Sequence, residues 1–205
     1  MYIIKPSCTI LDDIDGEKAL KKIEAAGRTC YKSSSDGSFA SAKRFTERLI
    51  TCGHESVLEH VSVSVLVVCD RGVSHELVRH RIASYSQEST RYCNYGKRSS
   101  EGVGFIAPSF WKTDRSKMEL WEAAVSFSER AYLSLLEMGA SPEEARSVLP
   151  NSLKTEIVVT MNLRAWRNFF KLRTDKRAHP QMREVAGLIL SELKSTIPVV
   201  FDDFE

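Results

Sequence analysis

Residues 61–68, Val-Ser-Val-Ser-Val-Leu-Val-Val, alternate apolar and polar positions and then become continuously apolar, which predicts a strand that grows more buried along its length. Helical spacing surrounds it. Ala19, Leu20, Ile23 and Ala26 recur at helical intervals in residues 17–31, and Phe45, Leu49 and Ile50 do so in 39–50, with the polar stretch 33–38 as the loop between. From Gly72 the pattern is helical through Leu77 and Val78 into Arg79. A second strand or hairpin is expected over 90–95, and residues 97–113, with Gly102, Gly104 and Pro108, are expected to form an irregular excursion able to act as a lid.

Residues 117–138 predict a long amphipathic helix with Leu120, Ala124, Phe127, Ala131, Leu133 and Leu136 on or near one apolar stripe. Gly139 ends it, and Ser141-Pro142-Glu143-Glu144 opens the next helix. A β-branched strand follows over 155–161, then helices over 162–173 and 181–194. Together these elements predict an α+β fold, a central twisted, mainly antiparallel sheet flanked by helices. With no repeat or linker, residues 1–205 are expected to form a single domain.

Twenty-nine Lys and Arg against 27 Asp and Glu leave a formal charge of only +2, which argues against general coating of nucleic acid. Five scattered cysteines with no C-x-x-C pair fit reduced thiols rather than a disulfide framework or a zinc site, so no metal is expected. The beginning of the chain lacks a signal-peptide pattern and no apolar run approaches the ~20 residues of a membrane span. The expectation is a cytoplasmic protein without membrane contact.

Against this neutral background, residues 79–92 concentrate Arg79, His80, Arg81, Ser84, Ser86, Ser89 and Arg91 with one acidic side chain, Glu88. Guanidinium groups fork onto phosphate oxygens and hydroxyls add short-range donors, so the segment reads as an anion site. The plainer alternative pairs these arginines with Glu55, Glu59, Glu76 or Glu88. Neither the dinucleotide fingerprint nor the Walker sequence is present, and no nucleophile motif occurs.

Arg79-His80-Arg81, seven residues, then Ser89 and Arg91-Tyr92 resembles the signature of the flavin-dependent thymidylate synthases. Gly53-His54-Glu55-Ser56 with Glu59-His60 is similar to that family's flavin-contacting segment. Ala145-Arg146 before Leu149-Pro150 is similar to its second substrate arginine. Asn162-Leu163-Arg164, Asn168-Phe169 and Leu172-Arg173 match its last motif in order and spacing. The resemblance implies FAD held by Ser56, Arg79, His80, Arg81, Gln87, Asn162, Arg164 and Asn168. It implies dUMP surrounded by Glu76, Arg79, Gln87, Glu88, Ser89, Arg91, Arg146 and Arg173.

The implied catalytic group is Arg173, which polarises the uracil ring, with His54 near flavin and folate and Ser89 binding and polarising rather than attacking. The implied reaction is reductive methylation of dUMP to dTMP, with methylenetetrahydrofolate giving the carbon and NADPH reducing the flavin, in a homotetramer that shares sites between subunits. Two positions depart from the pattern: many members have Asn-Glu at Ser86-Gln87 and glutamine at Glu76. A degenerate, non-catalytic relative would follow if those changes abolish turnover. A different class of function, an RNA or single-strand binding module, would track phosphates with Arg79, Arg81, Arg91, Lys97 and Arg98 and stack bases on Tyr92 and Tyr95.

Among the remaining side chains, His60, His75, His179 and Arg183 are expected to be structural or solvent-facing. At least two of Trp166, Phe169 and Phe170 should be core, and Arg164 and Arg167 are candidate phosphate ligands, although one turn-exposed arginine on such a helix is usually a solvated charge.

Overall fold

The computed structural model describes residues 1–98 and 102–204. Its elements in chain order are β1 (Tyr2–Ile4), β2 (Ser7–Ile10), α1 (Gly16–Thr29), α2 (Phe39–Thr51), β3 (Ser62–Asp70), α3 (Arg71–Leu77), β4 (Ser84–Gln87), α4 (Tyr95–Arg98), β5 (Gly104–Ile106), α5 (Arg115–Glu137), α6 (Pro142–Ala145), β6 (Lys154–Asn162), α7 (Leu163–Arg173) and α8 (Pro180–Thr196). Three 3-10 turns add Glu55–His60, Ser109–Trp111 and Arg146–Val148. The main sheet has the order β2-β3-β6-β4, and β1 pairs with β5 in a second, two-stranded sheet. Strands β3 and β6 run antiparallel. The Leu163 amide donates to Val61 O at one end, and the Arg71 amide donates to Leu153 O at the other.

Contacts group the chain into two compact units, one of Met1–Ser7, Val67–Arg79 and Ser86–Ile157, the other of Cys8–Leu66, His80–Tyr85 and Val158–Glu205. In the first, Tyr95, Val103, Phe105, Trp121, Val125, Tyr132, Ala145 and Leu153 make the core. In the second, α1 packs on α2 and α7 packs on both α8 and the Glu55–His60 turn. Trp166, Phe169 and Phe170 are all fully buried there, and Phe170 meets Phe201 edge-on at 5.4 Å. Each such ring contributes roughly 1.5–3 kcal/mol by leaving water, so the aromatic face of α7 is its anchor.

Most predicted helices and the two long strands stand within a few residues of their expected bounds, and side-chain caps explain the starts. Asp15, Ser38, Asp70, Asp114 and Asn162 each accept a hydrogen bond from a backbone amide of the following helix. Four expectations are corrected. Residues 90–94 form turns rather than a strand because the Tyr92 and Cys93 amides fold back onto Ser89 O; the strand lies earlier, at β4.

The excursion 97–113 contains buried β5, paired in parallel with β1 through Tyr2↔Gly104, while its residues 99–101 and the Arg98 side chain lie outside what is described. Gly104 has to lack a side chain, since a Cβ there would stand 2.7 Å from the Tyr2 ring. Helix α5 turns a different face inward. Trp121, Val125 and Tyr132 are buried, whereas Leu120 and Phe127 are 74% and 68% exposed. Finally, Arg167 is a buried ion-pair residue, not a solvated charge.

Candidate ligand site

The residues of the resemblance fall into two sets. Glu76, Arg79, Gln87, Glu88, Ser89, Arg91 and Arg146 belong to the first unit, and His54, Ser56, His80, Arg81, Asn162, Arg164, Asn168 and Arg173 to the second.

In the first unit, the turn that replaces the expected strand places its polar groups. The Arg91 amide donates to Ser89 Oγ at 3.3 Å, Arg146 Nη1 donates to Thr90 Oγ1 at 2.9 Å, and Arg91 Nε reaches Glu143 at 2.9 Å. The Arg91 guanidinium also lies 5.4 Å over the Tyr92 ring. Among the described residues no basic side chain hydrogen-bonds Ser89 Oγ.

Gln87 Nε2 donates to Ser74 Oγ at 2.8 Å and to Thr155 Oγ1 at 3.2 Å, both on fully buried residues. Its amide donors are thereby committed inward and its carbonyl oxygen is the group left for a ligand. Glu88 is engaged by Lys154 Nζ at 3.3 Å, in a pair whose side chains are only 12% and 14% exposed. Glu76 sits half-buried on α3, and Arg79 is exposed just beyond that helix. Tyr95 is buried in the core, which removes it from any base-stacking platform.

In the second unit, α7 projects Arg164 and Asn168, one turn apart, on its exposed side. Together with Arg81, Asn162 and Lys171 they line a cleft of about 660 Å3. Asn162 caps the helix through Oδ1, accepting from the Ala165 amide at 2.8 Å, which leaves its amide nitrogen to donate to a ligand. A larger cleft of about 880 Å3 is bordered by His54, Ser56, Arg164, Arg28, Arg44 and Arg48, with Tyr31 and Phe45 as its rings. Arg164 borders both clefts; its ion pair with Glu59 at 2.6 Å is half-exposed and worth little, so a ligand can displace it.

His80 is 7% exposed, packs edge-on against Phe169 at 5.0 Å and accepts a hydrogen bond at Nε2 from Arg173 Nε, 2.9 Å away. Burial, and after it the Arg173 guanidinium, push its pKa down to about 4. At neutral pH the ring is uncharged, with its proton on Nδ1. His80 therefore orients Arg173, an arrangement not visible from the expectation that it contacts FAD.

The donor chemistry fits a flavin dinucleotide: guanidinium and amide donors suit a pyrophosphate, and the cleft that carries rings and hydroxyls suits flat heterocycles. Sequence reasoning missed Arg44 and Arg48, although their i, i+4 spacing on α2 was readable, and the partners Glu143, Ser74 and Thr155, which carry no local signal. Among the described residues no three His, Cys, Asp or Glu side chains are grouped to hold a metal, and no helix is long and apolar enough to cross a membrane.

Residues 11–199 match the family model described as thymidylate synthase complementing protein. A flavin-dependent thymidylate synthase of Mycobacterium sp. (strain KMS) is 38% identical, the match covering 100% of this chain and 86% of that one. One of Mycolicibacterium gilvum is 39% identical over 94% and 82%. One of Pyrococcus abyssi is 41% identical over 74% of this chain, but the match spans only 62% of that relative. The solved UMP/dUMP methylase PolB from Streptomyces cacaoi, bound with 5-Br dUMP, shares the fold with a TM-score of 0.78 at 24% identity, covering 98% of this chain and 96% of that one. On this evidence the chain belongs to the thymidylate synthase complementing protein family.

Proposed function

We propose that this protein is a flavin-dependent thymidylate synthase that converts dUMP to dTMP, with FAD as cofactor and NADPH and methylenetetrahydrofolate as co-substrates. The observation that carries the reading is the convergence of two separate motifs on one cleft of the second unit: Arg81 from residues 79–92 meets Asn162, Arg164 and Asn168 from residues 162–173. A bound flavin supplies the hydride chemistry, leaving the protein to bind, orient and polarise.

In this reading Arg81, Arg164, Asn162, Asn168 and Ser56 hold the cofactor, and Arg79, Ser89, Arg91 and Arg146 hold the nucleotide phosphate and sugar. Arg173 is the catalytic group. Its Nε donates to neutral His80, which helps fix the plane of the guanidinium, and a guanidinium so held would stabilise negative charge on a pyrimidine carbonyl. His54 is exposed at the rim of the larger cleft, suited to the folate side of the ligand set. The homotetramer belongs to the same proposal. What supports more than one subunit is the outer face of α5, where Leu120 and Phe127 lie in solvent with Ala123 and Ala124 between them.

Purified protein is incubated with FAD, desalted and scanned in the visible, then treated anaerobically with NADPH with and without dUMP. A retained flavin band that bleaches, at a rate altered by dUMP, and dTMP formation once methylenetetrahydrofolate is added are the expected results. No flavin retention and no bleaching with excess FAD would overturn the proposal.

A further inference from the structure

Arg167 lies on the inward side of α7, one residue from Asn168, and is only 6% exposed. Its Nε donates to Glu55 Oε1 at 2.9 Å. Its Nη1 donates to Asp203 Oδ1 at 2.6 Å and also to Val200 O, and Nη2 donates to Asp203 Oδ2 at 2.7 Å. The Phe204 ring lies 5.0 Å from its Cζ. A planar guanidinium with a bidentate carboxylate on one edge and a second carboxylate at Nε has almost no freedom to turn. Residues 199–204 thus grip one end of this side chain, and Glu55 takes the other.

Glu55 stands between His54 and Ser56 at the start of a 3-10 turn, where His54 supplies no side-chain cap. That turn packs on α7, and Glu55 borders both clefts, as Arg164 does. The position of His54 and Ser56 relative to Arg164 and Asn168 therefore depends on whatever holds Glu55 to α7. We propose that Arg167 is a positioning residue for the flavin site, locking the His54–Ser56 segment to the ligand-bearing face of α7, and that residues 199–204 act on the cofactor through it.

This inference rests on the proposed function for the identity of the ligand. Removing the Glu55 charge should leave Arg167 held by Asp203 and Val200 O but weaken its grip on the His54–Ser56 segment, whereas removing the Asp203 charge should leave Arg167 buried with Glu55 as its ionic partner and freer to turn, in either case without emptying the core.

The test measures FAD dissociation constants by flavin fluorescence quenching for the unaltered protein, Arg167→Lys, Glu55→Gln and Asp203→Asn, with far-UV circular dichroism and a melting curve for each. Hydrogen exchange of a peptide spanning residues 53–61 is followed in parallel without flavin. The expected result is a roughly 10-fold or greater weakening of FAD in Arg167→Lys and Glu55→Gln, the loss that goes with one charged hydrogen bond, and faster exchange over 53–61. The double variant should be no worse than the poorer single one, since both break the same link. Asp203→Asn, altered at a partly exposed partner, keeps the test decisive if Arg167→Lys fails to fold.

A merely structural role predicts lower melting temperatures with unchanged FAD affinity in the folded variants. That outcome, or additive effects of Arg167→Lys and Glu55→Gln, overturns the inference. Absence of FAD binding by the unaltered protein overturns the proposed function first and removes the flavin from this one with it.

Discussion

Arg173 combines an uncharged partner at Nε with a position at the last residue of a helix whose other face is fully packed aromatic rings. Arg173→Ala should cut dTMP turnover by ~100-fold or more with circular dichroism unchanged, the scale reported for removing a single transition-state donor. Arg91→Ala should chiefly raise the dUMP concentration needed for half-maximal rate. Its pair with Glu143 is half-exposed, so the stability lost should stay below about 1 kcal/mol in a urea titration.

Acid should act through His80. Its native pKa of about 4 lies below the ordinary 6.5, so the unfolded chain binds the extra proton first. The stability this neutral ring contributes is fully present above about pH 6.5 and is lost as pH falls toward 4. Urea midpoints should fall across that window in the unaltered protein, and less steeply in His80→Gln. Parallel slopes would remove His80 as the cause.

At this scale the sequence showed which residue types gather at 79–92, because charge and hydroxyl content are local properties. It could not show that His80 turns toward Arg173 or that Arg167 is buried, because those directions are set by Phe169 and by residues 199–204, distant in the chain.

Among the elements, the long ones were legible because several turns or alternations average out individual residues. Strands β1 and β5, of three residues each, are defined by pairing between segments distant in the chain and have no local signature. Helix α5 shows a different difficulty: apolar residues lie on two faces, and periodicity alone does not say which is core. Trp121, Val125 and Tyr132 win the interior because the indole nitrogen can reach Ser152 Oγ at 3.0 Å and the Tyr132 hydroxyl accepts from the Tyr95 amide at 3.3 Å. The outer face keeps Leu120 and Phe127 in solvent. Leu120→Glu with Phe127→Glu should lower the particle mass in sedimentation while leaving the melting of the isolated chain nearly unchanged; an unaltered mass would exclude this face from assembly.

For the molecule as a whole, the α+β architecture and the family were both readable, the first from periodicities and the second from four short segments in order. The grouping into two compact units was not, since neither unit is a continuous stretch of sequence. The residues proposed for the nucleotide, other than Arg173, fall in one unit and most of those proposed for the cofactor in the other, and residues 79–92 are divided between both.

That division bears on the order of synthesis. β1 has no partner until residues 104–106 have been made, and the first unit is complete only when β6 is under way. The second unit waits for α8 and the segment that grips Arg167. A nascent chain halted between residue 92 and α7 therefore carries the arginine-rich 79–92 segment without Phe169 and Arg173, which His80 packs against and hydrogen-bonds, and no single cut of the finished chain yields either unit alone. Such non-local pairing makes for slow folding, and fragment expression is a poor way to dissect this protein.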